Sequence, residues 1–290
     1  MQGLAASSSS TLDWAWSHCA TLVRDQDPDR YAATLFAPAD KQRFLFALYA
    51  FSLEIARVRD AVREAIAGEL RLQWWRDALQ GEARGDVKAN PVAAALDETI
   101  VRFRLPRQAF VDLIDARLFD LYDDPMPSLT DLEGYCGETS SALIRLASLM
   151  LSPEEPGPAD AAGHAGVAYA VAGLLRAFPW HARRGQVYVP ASVLERHGVD
   201  RGQIVEGRSS AGLLAVLREM RGVARTHLER ARALSGVVPV SARAAFLPVA
   251  LVPAFLKGME SRDYDPFTTV VQLSPLHRQW LLWRAARRGV

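Results

Sequence analysis

The chain has 290 residues, half of them hydrophobic and about a quarter charged, and its formal net charge is +1. These values are typical of one large soluble domain or two small ones, and they exclude a disordered chain, a collagen-like repeat and a small disulfide-stabilised protein. The near-neutral total gives no indication of nucleic-acid binding, and we expect none.

Charge is unevenly distributed along the chain. Residues 1–160 carry 16 Lys and Arg against 25 Asp and Glu, a net charge of −9, whereas residues 161–290 carry 18 against 8, a net charge of +10. Two interpretations stay open. Either the halves pack against each other and their fields partly cancel, or the second half presents a basic face to phosphate, anionic lipid or an acidic partner.

Cysteine content and the N-terminal sequence indicate the compartment. Cys19 and Cys136 are too few and too far apart for a disulfide framework, and no Cys/His cluster has zinc-ligand spacing. The N-terminus has neither the signature of a secretory signal nor the arginines of a mitochondrial presequence. We expect a cytoplasmic protein with disorder at residues 1–10.

Helical periodicity dominates the chain, and prolines mark several helix starts. The predicted helices are Phe44–Val58, Leu70–Leu79, Val92–Phe103, Arg107–Leu121, Ser128 to about Leu151, Ala159–Phe178, Pro190–His197, Ser209–Leu234 and Pro275–Arg288. The apolar segment Ala244–Leu256 is too short for a membrane span and contains two prolines, which favours a buried, kinked helix. Gln186–Val189 is the one plausible strand. This pattern predicts a single all-α domain over residues 1–290, and the loop Ser152–Pro158 leaves a two-domain alternative open.

Four segments in order resemble the squalene/phytoene synthase family. They are YAATLFAPADKQRFLFALYAF at residues 31–51, Trp75-Arg76 with Leu79, Tyr135-Cys136, and RRGQVYVP at residues 183–190. The resemblance covers nearly the whole chain. It implies the isoprenoid (terpenoid) synthase helical bundle around a central cavity. It also implies head-to-head joining of prenyl diphosphates, with Mg²⁺ held by aspartates on two facing helices.

The chain departs from the family at those aspartates. The family's five aspartates and one asparagine fall on Ala56, Arg57, Asp60, Gly173, Ala177 and His181. Only Asp60 keeps its carboxylate, and one carboxylate cannot hold several Mg²⁺ ions against water. Pro179 is also expected to disturb the helix that carries the second motif.

A subgroup of the family shares these losses. Segments such as ALYAFSLEIARVRD and LLRAFPWHARRGQVYVP resemble the squalene/phytoene-synthase-like assembly factor of respiratory complex I and its bacterial relatives. The resemblance implies a catalytically silent protein without a cofactor, whose partner is a complex I subunit or assembly intermediate. One alternative is a divergent prenyltransferase that uses Mg²⁺, with Glu54 or Glu138 supplying oxygen ligands. Another is a carrier of isoprenoid or lipid.

Nine residues are candidates for lining a ligand-binding cavity, and no catalytic or metal-binding residue is predicted. They are Tyr49, Glu54, Arg57, Asp60, Arg176, His181, Arg183, Arg184 and Tyr188. The charged side chains of residues 54, 57 and 60 form either a salt-bridge network in place of the metal or a remodelled ligand site. The arginines either bind a phosphate-bearing group or pair with acids of residues 1–160.

The remaining candidates have simpler interpretations. His181 is expected to be packed, while His164, His197, His227 and His277 are scattered without metal-ligand spacing. Tryptophans 14, 16, 74 and 75 are typical of a core. The C-terminal helix, with two tryptophans and four arginines in residues 277–288, either packs as a final helix or contacts the inner face of a membrane, which is the matrix side in a eukaryote.

Overall fold

A computed structural model describes residues 2–289, with side chains described for residues 12–289. Helices dominate, and residues 2–289 contain no strand. The α-helices are α1 (Gln2–Gln26), α2 (Pro28–Thr34), α3 (Ala39–Ala56), α4 (Ala65–Gln80), α5 (Pro91–Phe103), α6 (Arg107–Arg117), α7 (Leu129–Cys136), α8 (Ala142–Leu151), α9 (Ala159–Arg176), α10 (Phe178–Arg183), α11 (Ala191–Arg196), α12 (Arg201–Val205), α13 (Ala211–Ala233), α14 (Val252–Gly258) and α15 (Pro275–Arg288). The predicted all-α class is confirmed.

The chain forms two compact units, each built from three segments. The first unit comprises Met1–Tyr122, Arg145–Pro156 and Pro239–Ala245, and the second comprises Asp123–Ile144, Gly157–Val238 and Phe246–Val290. The chain passes from the first unit to the second at Pro156–Gly157, within the predicted linker, which is a loop between α8 and α9. The single domain over residues 1–290 stays a prediction. So does the disorder of residues 1–10, whose side chains lie outside the described residues.

Helix α3 forms the core of the first unit. Residues 44–52 are buried on every side of this helix, and α3 packs against α1 and α5. Phe51 is fully buried, and the rings of Trp75 and Phe110 stand edge-on to it at centroid distances of 5.3 and 5.5 Å. Edge-to-face aromatic pairs add to the free energy gained from apolar burial. These contacts fix the C-terminal end of α3 relative to α4 and α6.

Helices α9 and α13 form the main helix pair of the second unit. Helix α9 also approaches the segment between α7 and α8 closely at Gly166. A Cβ atom at Gly166 would lie 2.3 Å from the Cα of Ser141, so only glycine fits there. The Ser141 hydroxyl donates a hydrogen bond of 2.8 Å to the carbonyl of Gly163, which ties the two elements together.

The predicted long helix from Ser128 to Leu151 is present with one irregularity. Ser128 and Asp131 form a capping box, in which each side chain accepts a hydrogen bond from the backbone N–H of the other residue. Between α7 and α8, Gly137–Ser141 forms a π-helical turn. Such one-residue insertions keep the helix continuous, and the 3.6-residue pattern does not predict them.

The apolar segment after α13 is a 3₁₀ helix, Val240–Leu251, with Pro248 inside it, and α14 continues it. Among the described residues, Val240–Gly258 is the helical stretch that has the length and apolarity to cross a membrane, and 56% of its apolar window is buried in the protein. Burial of this extent is also found in core helices of soluble proteins.

Several sequence predictions are wrong in part: the helices predicted to end at Val58 and Leu121 end as α-helices at Ala56 and Arg117. Gln186–Val189 is irregular, because residues 2–289 offer no strand with which it could pair. The helix predicted over Ala159–Phe178 ends at Arg176, two residues early. Trp14 is not a core residue, since 53% of it is exposed.

Candidate functional site

Three of the predicted site residues line one cavity of about 470 Å³ in the first unit. The cavity lies at the C-terminal end of α3. Trp74 and Trp75 from α4 supply an aromatic surface, and the charged lining residues are Glu54, Arg57, Asp60 and Arg71. The cavity therefore combines an aromatic wall with both signs of charge.

The end of α3 sets the position of these charges. Helix α3 ends at Ala56, and the N–H of the capping residue Arg57 donates to the Leu53 carbonyl at 3.0 Å. A short 3₁₀ turn, Arg59–Ala61, follows. Asp60 consequently lies outside α3, so it does not share a helix face with Glu54.

Burial and charge oppose each other at Glu54. Burial raises the pKa of the Glu54 carboxyl above its ordinary value, while His18, Arg57 and Arg71 lower it. Burial, together with the Glu54 carboxylate, raises the pKa of the adjacent Cys19 thiol to about 12. Cys19 therefore stays protonated near neutral pH and is a poor nucleophile.

Tyr49 is packed in the interior of the first unit and is not among the residues that line this cavity. It is 4% exposed, and the guanidinium of Arg30 lies 5.4 Å from its ring centroid. Burial raises the pKa of Tyr49 to about 12, so its hydroxyl stays neutral. The residue contributes packing to α3.

Arg176, at the last position of α9, makes structural contacts within the second unit. Its guanidinium lies 3.7 Å from the ring centroid of Phe255, and its Nε donates to the carbonyl of Val271 at 3.2 Å. A stacked arginine with a hydrogen-bonded Nε is held in one orientation. The side chain thus joins the end of α9 to α14 and to the segment before α15.

The residues at the family's second aspartate motif lie at a break between two helices. Helix α9 is capped at Ala177, and α10 begins at Phe178 with Pro179 in its first turn. This break confirms the predicted disturbance by Pro179. Its cause is that proline has no N–H with which to continue the hydrogen bonds of α9. His181 follows in α10, where its ring packs on Tyr188 at a centroid distance of 4.7 Å.

His181 and Tyr188 also border a crevice of about 20 Å³ in the second unit. This volume accommodates about one water molecule. The prediction that His181 is packed agrees with this geometry. The neighbouring Arg183 and Arg184 are exposed, and the guanidinium of Arg183 lies 5.8 Å from the ring centroid of Trp180.

Two histidines described above as scattered are in direct contact. Nδ1 of His164 in α9 lies 3.1 Å from Nδ1 of His227 in α13, and Nε2 of His227 lies 3.1 Å from a carboxylate oxygen of Glu133 in α7. One ring must donate and the other accept along the Nδ1–Nδ1 contact. Burial and the His227 ring lower the pKa of His164 below its ordinary value. The sequence gives no signal for this cluster, because its members are 31 and 63 residues apart along the chain.

The architecture identifies the class of protein. The structure resembles the crystal structure of a dehydrosqualene synthase in complex with ligand, with a TM-score of 0.79, 21% sequence identity and coverage of 95% of this chain and 96% of that chain. The expected isoprenoid synthase helical fold is therefore confirmed.

Sequence comparison identifies the family. A model of the squalene/phytoene synthase family matches residues 23–284, so the chain belongs to that family. Complex I assembly factor 6 of Rattus norvegicus is 31% identical over 98% of this chain and 86% of its own length. The chloroplastic phytoene synthase 3 of Zea mays is 25% identical over 89% of this chain and 62% of its own length.

The residues present do not fit the Mg²⁺ cluster that the family implies. Four of the five aspartate positions lack a carboxylate, and Arg57 places a cation at one of them. The break at Ala177 ends α9 before His181, so these two positions do not share one helix face. Among the described residues, no three His, Cys, Asp or Glu side chains are grouped as metal ligands.

Proposed function

We propose that this chain is a non-catalytic member of the squalene/phytoene synthase family that acts in the assembly of respiratory complex I. It does so by binding a complex I subunit, an assembly intermediate or a lipid. The observation that carries the proposal is the similarity to complex I assembly factor 6 over 98% of this chain. A similarity of this extent includes both units.

The chemistry of the family's metal positions supports the non-catalytic part of the proposal. Ionisation of a prenyl diphosphate develops several negative charges on the leaving group, and divalent cations must neutralise them. Arg57 and His181 replace two of the ligands that would hold those cations, and Ala56 and Ala177 offer no donor atom. Binding is the activity that such a scaffold retains.

The cavity beside α3 favours a second candidate function, the binding of a lipid or isoprenoid as a carrier. Its volume of about 470 Å³ and its two tryptophans suit an apolar body, while Arg57 and Arg71 suit an anionic headgroup. The carrier function and the assembly function are compatible, since an assembly factor can act with a bound lipid.

Location and partners follow from the same proposal. A factor for a membrane-associated complex works where that complex is built, so we expect the protein in the cytoplasm at the inner face of the membrane, or on the matrix side in a eukaryote. No nucleic-acid partner is expected.

A deletion strain tests the assembly function. We expect loss of assembled NADH:quinone oxidoreductase on native gels of membranes, with restoration by the wild-type gene. Normal amounts of assembled complex in the deletion strain would contradict the proposal.

A prenyltransferase assay tests the enzymatic alternative. Purified protein is incubated with farnesyl or geranylgeranyl diphosphate and Mg²⁺, and released diphosphate is measured. We expect release at the rate of the protein-free control. Turnover would replace the non-catalytic proposal with a divergent prenyltransferase.

Thermal unfolding in the presence of lipids tests the carrier function. An anionic lipid or an isoprenoid should raise the unfolding temperature of the wild type and have a smaller effect on Arg57→Ala and Arg71→Ala. Equal stabilisation of all three proteins would place the ligand outside the cavity beside α3.

A further inference from the structure

Helix α15 has one packed face and one exposed face. Leu281, Leu282 and Ala285 are buried and attach the helix to the second unit. The large apolar side chains on the other side are exposed, with exposed fractions of 84% for Leu276, 50% for Trp280 and 45% for Trp283. A helix that only completed the core would not need this second apolar surface.

The exposed apolar residues form a continuous stripe. Leu276, Trp280 and Trp283 are four and three residues apart, which is the spacing of one helix face. Single exposed apolar side chains are common on soluble proteins, whereas a stripe with two tryptophans indicates a binding surface.

The charges of α15 all have one sign. Its 14 residues include four arginines and no aspartate or glutamate. The guanidinium of Arg284 lies 4.7 Å from the ring centroid of Trp280, and that of Arg287 lies 4.2 Å from that of Trp283. Each exposed tryptophan thus carries an arginine beside its ring, and Arg288 adds a further exposed cation.

Apolar side chains, tryptophans and arginines on one face fit the boundary between lipid headgroups and acyl chains. Tryptophan rings sit at headgroup level, and arginine donates paired hydrogen bonds to phosphate oxygens. A nucleic acid would use the arginines but not the apolar stripe. Fourteen residues are too few to cross a bilayer, so the helix would lie along its surface.

We propose that α15 is a docking helix for a membrane surface that contains anionic phospholipid. Leu276, Trp280 and Trp283 enter the headgroup boundary, and Arg284, Arg287 and Arg288 contact lipid phosphates. The proposal is independent of the assembly function, because it requires only the exposed face of this helix.

Vesicle flotation of the full chain tests this docking. Vesicles of phosphatidylcholine are compared with vesicles that also contain phosphatidylglycerol. We expect wild-type protein to float with the anionic vesicles and to be released at high salt, because salt screens the arginine charges. Floating equally with both kinds of vesicle, or with neither, would overturn the proposal.

Two double variants assign the binding to α15. Trp280→Ala/Trp283→Ala and Arg284→Gln/Arg287→Gln should each weaken partitioning onto anionic vesicles by at least about tenfold. Trp14→Ala is the matched control, since Trp14 is similarly exposed, at 53%, on a different helix. Thermal unfolding checks that each variant is folded. If the alanine variant is not folded, Trp280→Phe/Trp283→Phe replaces it, since this variant retains the aromatic surface.

The outcomes are decisive in both directions. Loss of flotation in both folded double variants, with Trp14→Ala unchanged, supports the proposal. Unchanged flotation of either folded double variant overturns it, as does binding to soluble polyglutamate without any binding to vesicles. None of these results depends on complex I, so failure here leaves the assembly function to its own test.

Discussion

Arg176 is one of the residues predicted to line a ligand cavity, and its guanidinium has structural contacts in the second unit. It stacks on Phe255 and donates to the Val271 carbonyl. The sequence could not identify these contacts, because Phe255 and Val271 lie about 80 and 95 residues further along the chain. The same limit applies to the contact between His164 and His227.

The contacts of Arg176 predict an effect on stability. Arg176→Ala removes a cation–π contact and a hydrogen bond, and we expect the free energy of unfolding to fall by about 1–2 kcal/mol. Urea unfolding measures the change. The exposed Arg183 provides the control, because Arg183→Ala should change stability by less than about 0.5 kcal/mol. Equal effects of both variants would contradict the structural role.

The histidine cluster predicts a dependence of stability on pH. The pKa of His164 is lowered in the folded protein, so the unfolded chain takes up this proton first as the pH falls. The charged and titratable groups that act on it are Glu133, Asp160, His227 and Arg230. His164 should therefore have little effect on the free energy of unfolding above pH 6.5, which is its ordinary pKa. Below that pH the free energy of unfolding should decrease.

Denaturant unfolding at several pH values between about 5.5 and 8 tests this dependence. His164→Asn should reduce the loss of stability at acidic pH, whereas His277→Asn, on the exposed side of α15, should leave it unchanged. The same pH profile for wild type and His164→Asn would show that this cluster does not set it.

Helices were predictable where local signals mark their ends. Pro91–Phe103 and Pro275–Arg288 begin with a proline and have Asn90 and Ser274 as side-chain caps, and the sequence gives their bounds correctly. Helix α1 was not predicted, and the short helices α2, α10 and α12 were missed because five to seven residues carry too little periodicity. The π-helical turn before α8 includes Ser141, which α9 approaches closely, and no local pattern predicts this contact.

That close approach predicts opposite effects at two glycines of α9. Gly166→Ala would place a methyl group against the backbone of Ser141, and we expect a loss of about 2–3 kcal/mol of stability. Gly173→Ala meets no atom within 4 Å and should stabilise α9 by up to about 1 kcal/mol. Thermal or urea unfolding distinguishes the two. If Gly166→Ala were neutral, α9 would not approach Ser141 as described.

At the scale of the whole molecule, the family's fold is present although the residues at its aspartate positions differ. The helical fold matches a dehydrosqualene synthase with a TM-score of 0.79, while four of the five aspartate positions have changed. Fold class and family were therefore available from the sequence. Pro179 also indicated the disturbance at the second motif, whereas the end of α9 at Arg176 was not predicted.

The break at the second motif predicts that restoring acids does not restore an enzyme. The variant Ala56→Asp/Arg57→Asp/Ala177→Asp/His181→Asp should release no diphosphate from farnesyl diphosphate with Mg²⁺, since Pro179 still interrupts the helix at the second motif. Diphosphate release is measured against the wild type. Release above that level would contradict this prediction and would show that carboxylates at these four positions are sufficient for diphosphate release.

The division of each unit among three chain segments has a consequence for biosynthesis. The first unit includes Pro239–Ala245, so it cannot be completed until most of the polypeptide has left the ribosome. Nascent α3, with its run of apolar residues, must wait for partners that are translated much later. We expect chaperone capture during translation, and we expect fragments that stop near Tyr122 or Pro156 to be degraded rather than to accumulate.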